Sequence, residues 1–176
     1  LACAGKYLYG VAGVAIVIDW ALRVRSTEEG AVPRLRALVP ILGFLALGAV
    51  AFLAANPYLW PDPVGRLISS ITYHGGYVGT DAVQETGWPI WQPLVWLMGS
   101  VPAGWQEEST FVVAVDVLIT ALAVTGLRRL WGEQRVYALW LLLAFVFLLA
   151  WPSKWPQYIL VLSAPLCLAA GLGTEN

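Results

Sequence analysis

The sequence predicts an all-α, polytopic membrane bundle of about five spanning helices plus a short outer-surface helix. Hydrophobic residues make up 59% of the 176 residues and charged residues 12%, and the mean hydropathy is +0.71. A soluble domain carries about 25% charged residues, so this chain has too few polar side chains for a water-exposed surface or for disorder. The net charge of −1 provides no basic field and excludes nucleic acid as a partner.

The spans are predicted from apolar length, because a bilayer core of about 30 Å needs about 20 helical residues. Lipid admits only helices or closed barrels, and the apolar runs lack the alternation of barrel strands. Many of the ten tryptophans lie at the ends of these runs, where indoles settle at membrane interfaces. The predicted spans are 7–22, 37–55, 111–127, 136–151 and 158–172.

A sixth apolar segment, 90–101, is too short to span and is bracketed by prolines. Arginines cluster at 23–36 and again at 128–135, and both clusters are predicted to be cytoplasmic by the positive-inside rule. The chain between them must then cross the membrane an even number of times. We therefore expect 90–101 to lie flat on the outer surface or to dip into it, within an extracytoplasmic loop over 56–108.

This arrangement predicts one transmembrane domain over 1–176 in the inner or plasma membrane, with a cytoplasmic C-terminus. The 56–108 loop is rich in Trp, Tyr and Pro. These residue types make a segment stiff and favour interfaces, and loops of such length are usually functional or disordered. We interpret this loop as a functional surface. The chain begins with Leu1 inside an apolar run, which suggests a fragment of a longer protein.

Three basic side chains are candidate binding groups on the outer side. Lys154 lies between the last two spans, where it is either a phosphate contact or an interface anchor. Lys6 lies at the outer end of the first span and either binds an anionic substrate group or reaches a lipid phosphate. His74 is the single histidine; it suits an acid, a base or a phosphate contact, but cannot alone specify a metal site.

Other polar residues lie within the apolar runs. Asp19 precedes Arg23 by four residues, the spacing of a helical ion pair. Asp116 is either part of a polar cavity or a hydrogen-bonded helix contact, because an unpaired charge in lipid is costly. Cys3 and Cys167 are predicted to be small buried hydrophobes. The sequence contains no P-loop, dinucleotide fingerprint, nucleophile elbow or zinc-protease motif.

Four stretches in order resemble the C-terminal half of GT-C membrane glycosyltransferases, the protein O-mannosyltransferase and aminoarabinose transferase relatives. They are AGKY at 4–7, NPYLWPDPVGRL at 56–67, GWPIWQPL at 87–94 followed by Val101-Pro102, and KWPQYIL at 154–160. The third stretch departs from the family, with Ser100 where a lysine often stands. The resemblance covers most of the chain.

The resemblance implies transfer of a sugar from a polyprenyl-phosphate donor at the extracytoplasmic face. It places the catalytic carboxylates in a loop upstream of Leu1, so the catalytic residues are unknown here. It implies no certain cofactor and leaves open whether a divalent metal is bound. The residues it directs to the donor phosphate or substrate are Lys6, His74, Lys154 and Tyr158, and those it directs to shaping the outer loop are Asp62 and Arg66.

The main alternative is a non-catalytic structural transmembrane subunit of a larger membrane complex, packed against other membrane subunits. This alternative needs no catalytic carboxylate, and an acidic pair in an upstream outer loop would discriminate between the two. A transporter fragment ranks below both, since such proteins contain matching broken helices in repeats and the sequence has no internal repeat.

Overall fold

The structure is a computed structural model that describes residues 7–26, 31–77, 79–81, 88–99 and 115–175. The side chains of 7, 26, 31–37, 74 and 115 are outside this description. Every regular element in the described ranges is a helix, which confirms the all-α class. The chain divides into two compact units, Leu1–Glu85 and Thr86–Asn176. The single transmembrane domain over 1–176 stays a prediction.

The described residues of the first unit form three α-helices and two short 3₁₀ turns. A turn over Tyr7–Tyr9 leads into α1, and a second turn over Pro57–Leu59 lies between α2 and α3. The helices are α1 (Gly10–Ser26), α2 (Ala31–Ala54) and α3 (Pro63–Tyr77). Arg23 Nε lies 2.6 Å from Asp19 Oδ2, which confirms the ion pair predicted from their spacing.

Helix α3 is absent from the sequence prediction, which has this segment as part of the long outer loop. The helix begins as helix-start rules require, since Asp62 Oδ1 accepts a hydrogen bond of 3.0 Å from the Gly65 amide and Pro63 occupies the first helical position. Val64, Ile68 and Ile71 then recur at helical spacing. His74 and the glycines after it are helical in backbone, not loop residues.

The described residues of the second unit form four α-helices and a longer 3₁₀ segment. That segment, Pro156–Leu162, continues directly into the last helix. The helices are α4 (Gln92–Met98), α5 (Val115–Glu133), α6 (Arg135–Ala150) and α7 (Ser163–Gly173). The described residues of all five predicted spans are helical except Ala55 and Trp151, and 111–114 lie outside the described ranges.

Helix α4 is the described part of the short segment predicted at 90–101. It is shorter than predicted, beginning at Gln92 and ending at Met98. Pro93, Trp96 and Leu97 are buried, and the helix contacts α5, α6 and the Pro156–Leu162 segment. This helix is thus part of the packed second unit.

The closest packing in the second unit is between α5 and α7. Ala123 and Leu130 form a buried cluster with Ala169 and Ala170. Gly126 lies against the Ala169 carbonyl, so that a Cβ atom added there would also approach the Gly173 amide nitrogen to 2.8 Å. Small residues of this kind let two helix backbones approach closely, as in membrane helix pairs.

Length and hydropathy identify one helical stretch in the described chain, Pro156–Gly173, as long and apolar enough to cross a membrane. Leu38–Ala54 and Arg135–Ala150 are apolar but shorter. These lengths do not establish five crossings. Cys167 in α7 is exposed, so the prediction that it is buried is wrong.

Candidate functional site

Lys154 lies in the turn between α6 and the 3₁₀ segment, and it is buried, with 6% of its surface exposed. Its Nζ donates hydrogen bonds to the carbonyls of Leu148 at 2.8 Å and Leu149 at 2.9 Å. A third bond goes to the carbonyl of Trp151. The last carbonyls of a helix have no intrahelical partner, so this ammonium group caps the C-terminus of α6.

Charge and burial act in opposite directions on this lysine. A cation at a helix C-terminus interacts favourably with the negative end of the helix dipole. Burial disfavours the charged form and lowers the pKa of Lys154. In this structure the ammonium group is directed to backbone carbonyls and does not point to an open surface.

The turn around Lys154 is held by its own aromatic and polar contacts. Trp151 Nε1 donates a hydrogen bond of 2.8 Å to the Ser153 hydroxyl, and Ser153 is buried. The Trp151 ring stacks on Phe147 with ring centroids 5.0 Å apart. Tyr158 is half-buried one turn further on, and its amide donates to the Trp155 carbonyl at 3.0 Å. Lys154 and Tyr158 therefore belong to one corner of the second unit.

Asp62 and Arg66 form a second corner, at the start of α3 in the first unit. Asp62 caps the helix through the Gly65 amide. Arg66 Nη1 donates a hydrogen bond of 2.7 Å to the Tyr58 carbonyl, and its guanidinium carbon lies 5.0 Å from the centroid of the Tyr58 ring. Asp62 thus caps the start of α3 and Arg66 binds the turn that enters it, and the loop-shaping role implied for them stays a prediction.

The second unit also contains an apolar cavity of about 390 Å³ between α4, α5, α6 and the C-terminal segment. Of the described side chains that line it, Thr120 alone is polar, and its hydroxyl donates a hydrogen bond of 2.7 Å to the Leu97 carbonyl. The cavity therefore presents hydrocarbon to an occupant. Its lining includes Leu94, Val124, Ala138, Phe145, Leu162 and Leu166.

The sequence does not predict this cavity. Its lining comes from four separate segments, each of which reads as an ordinary apolar helix. The one local signal is Thr120, a polar residue in an apolar stretch of α5. A threonine in that position is commonly explained by a bond to its own helix, whereas here the bond goes to α4.

Two of the predicted binding residues lie outside the described part of the chain. Lys6 precedes it, and of His74 only the backbone is described. Their roles stay predictions. Asp116 is half-buried near the start of α5 and has an interaction partner. Four of the predicted site residues have side chains that the structure describes. They form two groups, Asp62 with Arg66 in the first unit and Lys154 with Tyr158 in the second.

The described residues do not fit a bound metal. No three His, Cys, Asp or Glu side chains among them come together in a group that could hold an ion. A divalent metal needs several such ligands, and the described residues do not bring them together.

Comparison of the chain with protein-family models, with curated proteins and with solved structures finds no match. The likeness to GT-C glycosyltransferases therefore rests on the four sequence stretches alone. What the structure defines is the class, a helical protein with an apolar cavity.

Proposed function

We propose that the chain is the C-terminal part of a membrane glycosyltransferase that uses a polyprenyl-phosphate sugar donor at the extracytoplasmic face. The observation that carries this proposal is the apolar cavity of the second unit. At about 390 Å³ it is within the usual range for small-molecule sites. A pocket lined by hydrocarbon, whose single polar side chain is already hydrogen-bonded, suits the isoprenoid chain of such a donor.

The proposal requires a multi-pass membrane protein, and α2 supports this. Its exposed apolar side chains are spread around most of the helix, and Leu47 is 75% exposed. Pro40 lies inside the helix without ending it, and prolines are more frequent in membrane helices than in soluble ones. A helix that is apolar all round is buried in protein or lipid, and α2 is not buried in protein. We infer that about five helices of the chain span the bilayer.

The donor phosphate needs cations, because negative charge develops on the phosphate as the sugar leaves. Lys6, His74, Lys154 and Tyr158 are the groups that the resemblance directs to it. The acceptor must be activated by a carboxylate base, which the resemblance places upstream. This chain then contributes donor binding to an inverting transfer. For Lys154 to contact the phosphate, its ammonium group must leave the carbonyls that end α6.

The test is labelling of the protein in lipid nanodiscs by a polyprenyl phosphate that carries a photoreactive diazirine in its isoprenoid chain. Ala138 lines the cavity, and Ala138→Trp fills it. We expect labelling of this variant to fall about tenfold, equivalent to about 1.4 kcal/mol of binding free energy.

The matched control is Val146→Trp, which places the same side chain at an exposed position of α6 outside the cavity. We expect it to be labelled like the unaltered protein. Equal labelling of all three proteins would contradict donor binding in the cavity.

One observation favours the alternative, a non-catalytic structural subunit. Lys154, the described cation of the proposed donor site, is fully used in capping α6. In a structural subunit this is its whole role. The two functions differ in the labelling experiment, since a structural subunit has no reason to select a polyprenyl phosphate over a bilayer phospholipid added as a competitor.

A further inference from the structure

The apolar stripe of helix α3 is exposed, and part of its polar side is half-buried. Val64, Ile68 and Ile71 follow one another at spacings of four and three residues, so they lie on one side of the helix. They are 69%, 58% and 60% exposed. Arg66, Ser70 and Tyr77 lie on the opposite side and are half-buried, and Leu67 is half-buried with them.

A surface helix in water turns its apolar stripe towards the protein, whereas the stripe of α3 faces outwards beside the exposed polar residues Ser69 and Thr72. The stripe therefore requires an apolar environment outside the unit. We propose that α3 lies in the membrane interface, with Val64, Ile68 and Ile71 inserted among the acyl chains of an anionic bilayer.

The connection to α2 favours lipid over a protein partner. Asn56 Nδ2 donates to the Phe52 carbonyl at 2.7 Å, and Trp60 Nε1 donates to the Leu53 carbonyl at 2.8 Å. These bonds fasten the turn before α3 to the end of α2. The stripe thus follows closely on α2, whose described side chains between 38 and 54 are mostly apolar and exposed.

Aromatic residues near α3 and one basic residue on its polar side match a lipid headgroup layer. Tyr58, Trp60 and Tyr73 are all more than half exposed, and amphipathic rings concentrate at membrane interfaces. Between Pro63 and Tyr77 the helix has no carboxylate and carries Arg66. Such a charge complements the phosphates of anionic lipids. The inference holds for either proposed function, because it involves neither the donor nor the cavity.

The test places a nitroxide spin label at Ile68→Cys in a background of Cys3→Ser and Cys167→Ser. The full chain is reconstituted in vesicles of phosphatidylcholine and phosphatidylglycerol, and collisions of the label with oxygen and with a water-soluble nickel chelate are measured. We expect the ratio of oxygen to nickel collisions at Ile68→Cys to be several-fold higher than at Ser69→Cys, the neighbouring exposed polar position.

Ile71→Cys is the second apolar position and must behave like Ile68→Cys, so the test does not depend on one variant folding. Circular dichroism checks that each labelled protein keeps its helix content. A label at Ile68 that collides preferentially with nickel overturns the proposal, because the stripe is then in water. A label shielded from both reagents also overturns it and indicates that protein covers the stripe.

Discussion

At the scale of single residues, Lys154 has two possible roles, and each requires its ammonium group to bind a different partner. The sequence pattern directs it to a donor phosphate, and the structure directs it to the carbonyls of Leu148, Leu149 and Trp151. A buried carbonyl that loses its donor costs about 1–3 kcal/mol. The cap is therefore sufficient by itself to explain a buried lysine at this position.

Lys154→Ala separates the two interpretations when stability and donor binding are measured together. We expect the free energy of unfolding to fall by about 1–3 kcal/mol, because the last carbonyls of α6 lose their donor. Lys154→Gln keeps N–H donors but removes the charge, so we expect it to lose less stability. Unfolding is followed by circular dichroism in mixed micelles, and binding by diazirine labelling.

A Lys154→Ala protein as stable as the unaltered one would contradict the capping role. If Lys154→Gln keeps its stability and loses donor labelling, the positive charge is needed by the donor and the phosphate contact gains support.

At the scale of secondary-structure elements, the pairing of α5 with α7 depends on residues without side chains. Gly126 and Gly173 each lie where an added Cβ would collide with the backbone of the opposite helix. Arg129 fastens the ends of the same pair, donating from Nη1 to Glu175 at 2.9 Å and from Nε to Glu133 at 3.1 Å. The contact is thus set by close backbone approach and by an ion pair at one end.

Gly126→Ala is expected to destabilise the protein by about 1–3 kcal/mol, the usual cost of overpacking a close contact. The matched control is Gly171→Ala in α7, where an added Cβ meets nothing within 4 Å. We expect that control to change stability by at most about 1 kcal/mol, and in the stabilising direction, since alanine favours helix over glycine. Both are measured by unfolding in mixed micelles. Equal effects of the two substitutions would contradict the close crossing.

At the scale of the whole molecule, the arginine clusters at 23–36 and 128–135 determine the proposed orientation. The first cluster occupies the last turn of α1 and the start of α2, and the second lies at the junction of α5 and α6. Both are expected on the cytoplasmic side, with α3 and the turn at Lys154 on the outer side. This orientation and the crossing of a bilayer by the helices both stay predictions.

The topology predicts which positions an impermeant maleimide reaches in intact cells. In a background of Cys3→Ser and Cys167→Ser, we expect Ser69→Cys to be labelled from outside. Gln134→Cys, between α5 and α6, is expected to react only after the cells are permeabilised. Both residues are exposed in the structure, so differences in labelling report the side of the membrane. Labelling of both positions in intact cells would contradict the proposed orientation.

Much of the helical structure is predictable, because each long apolar run forms its hydrogen bonds within itself. Asp19 and Arg23 pair as their spacing predicts, for the same local reason. Helix α3 is missed because its apolar residues are interrupted by Ser, Thr and Gly, although Asp62 and Pro63 mark its start. The sequence predicts the surroundings of the described site residues only in part. The contacts of Lys154, for example, depend on how the chain turns after α6.

The sequence by itself determines an apolar, sparsely charged chain that forms helices, because composition and local periodicity suffice for that result. Tertiary structure decides where the functional groups point. It buries Lys154 against carbonyls, turns the stripe of Val64 outwards and brings Gly126 against α7. It also assembles the apolar cavity from four segments. These features arise between residues that are distant in sequence or on opposite sides of a turn, and no local pattern specifies such neighbours.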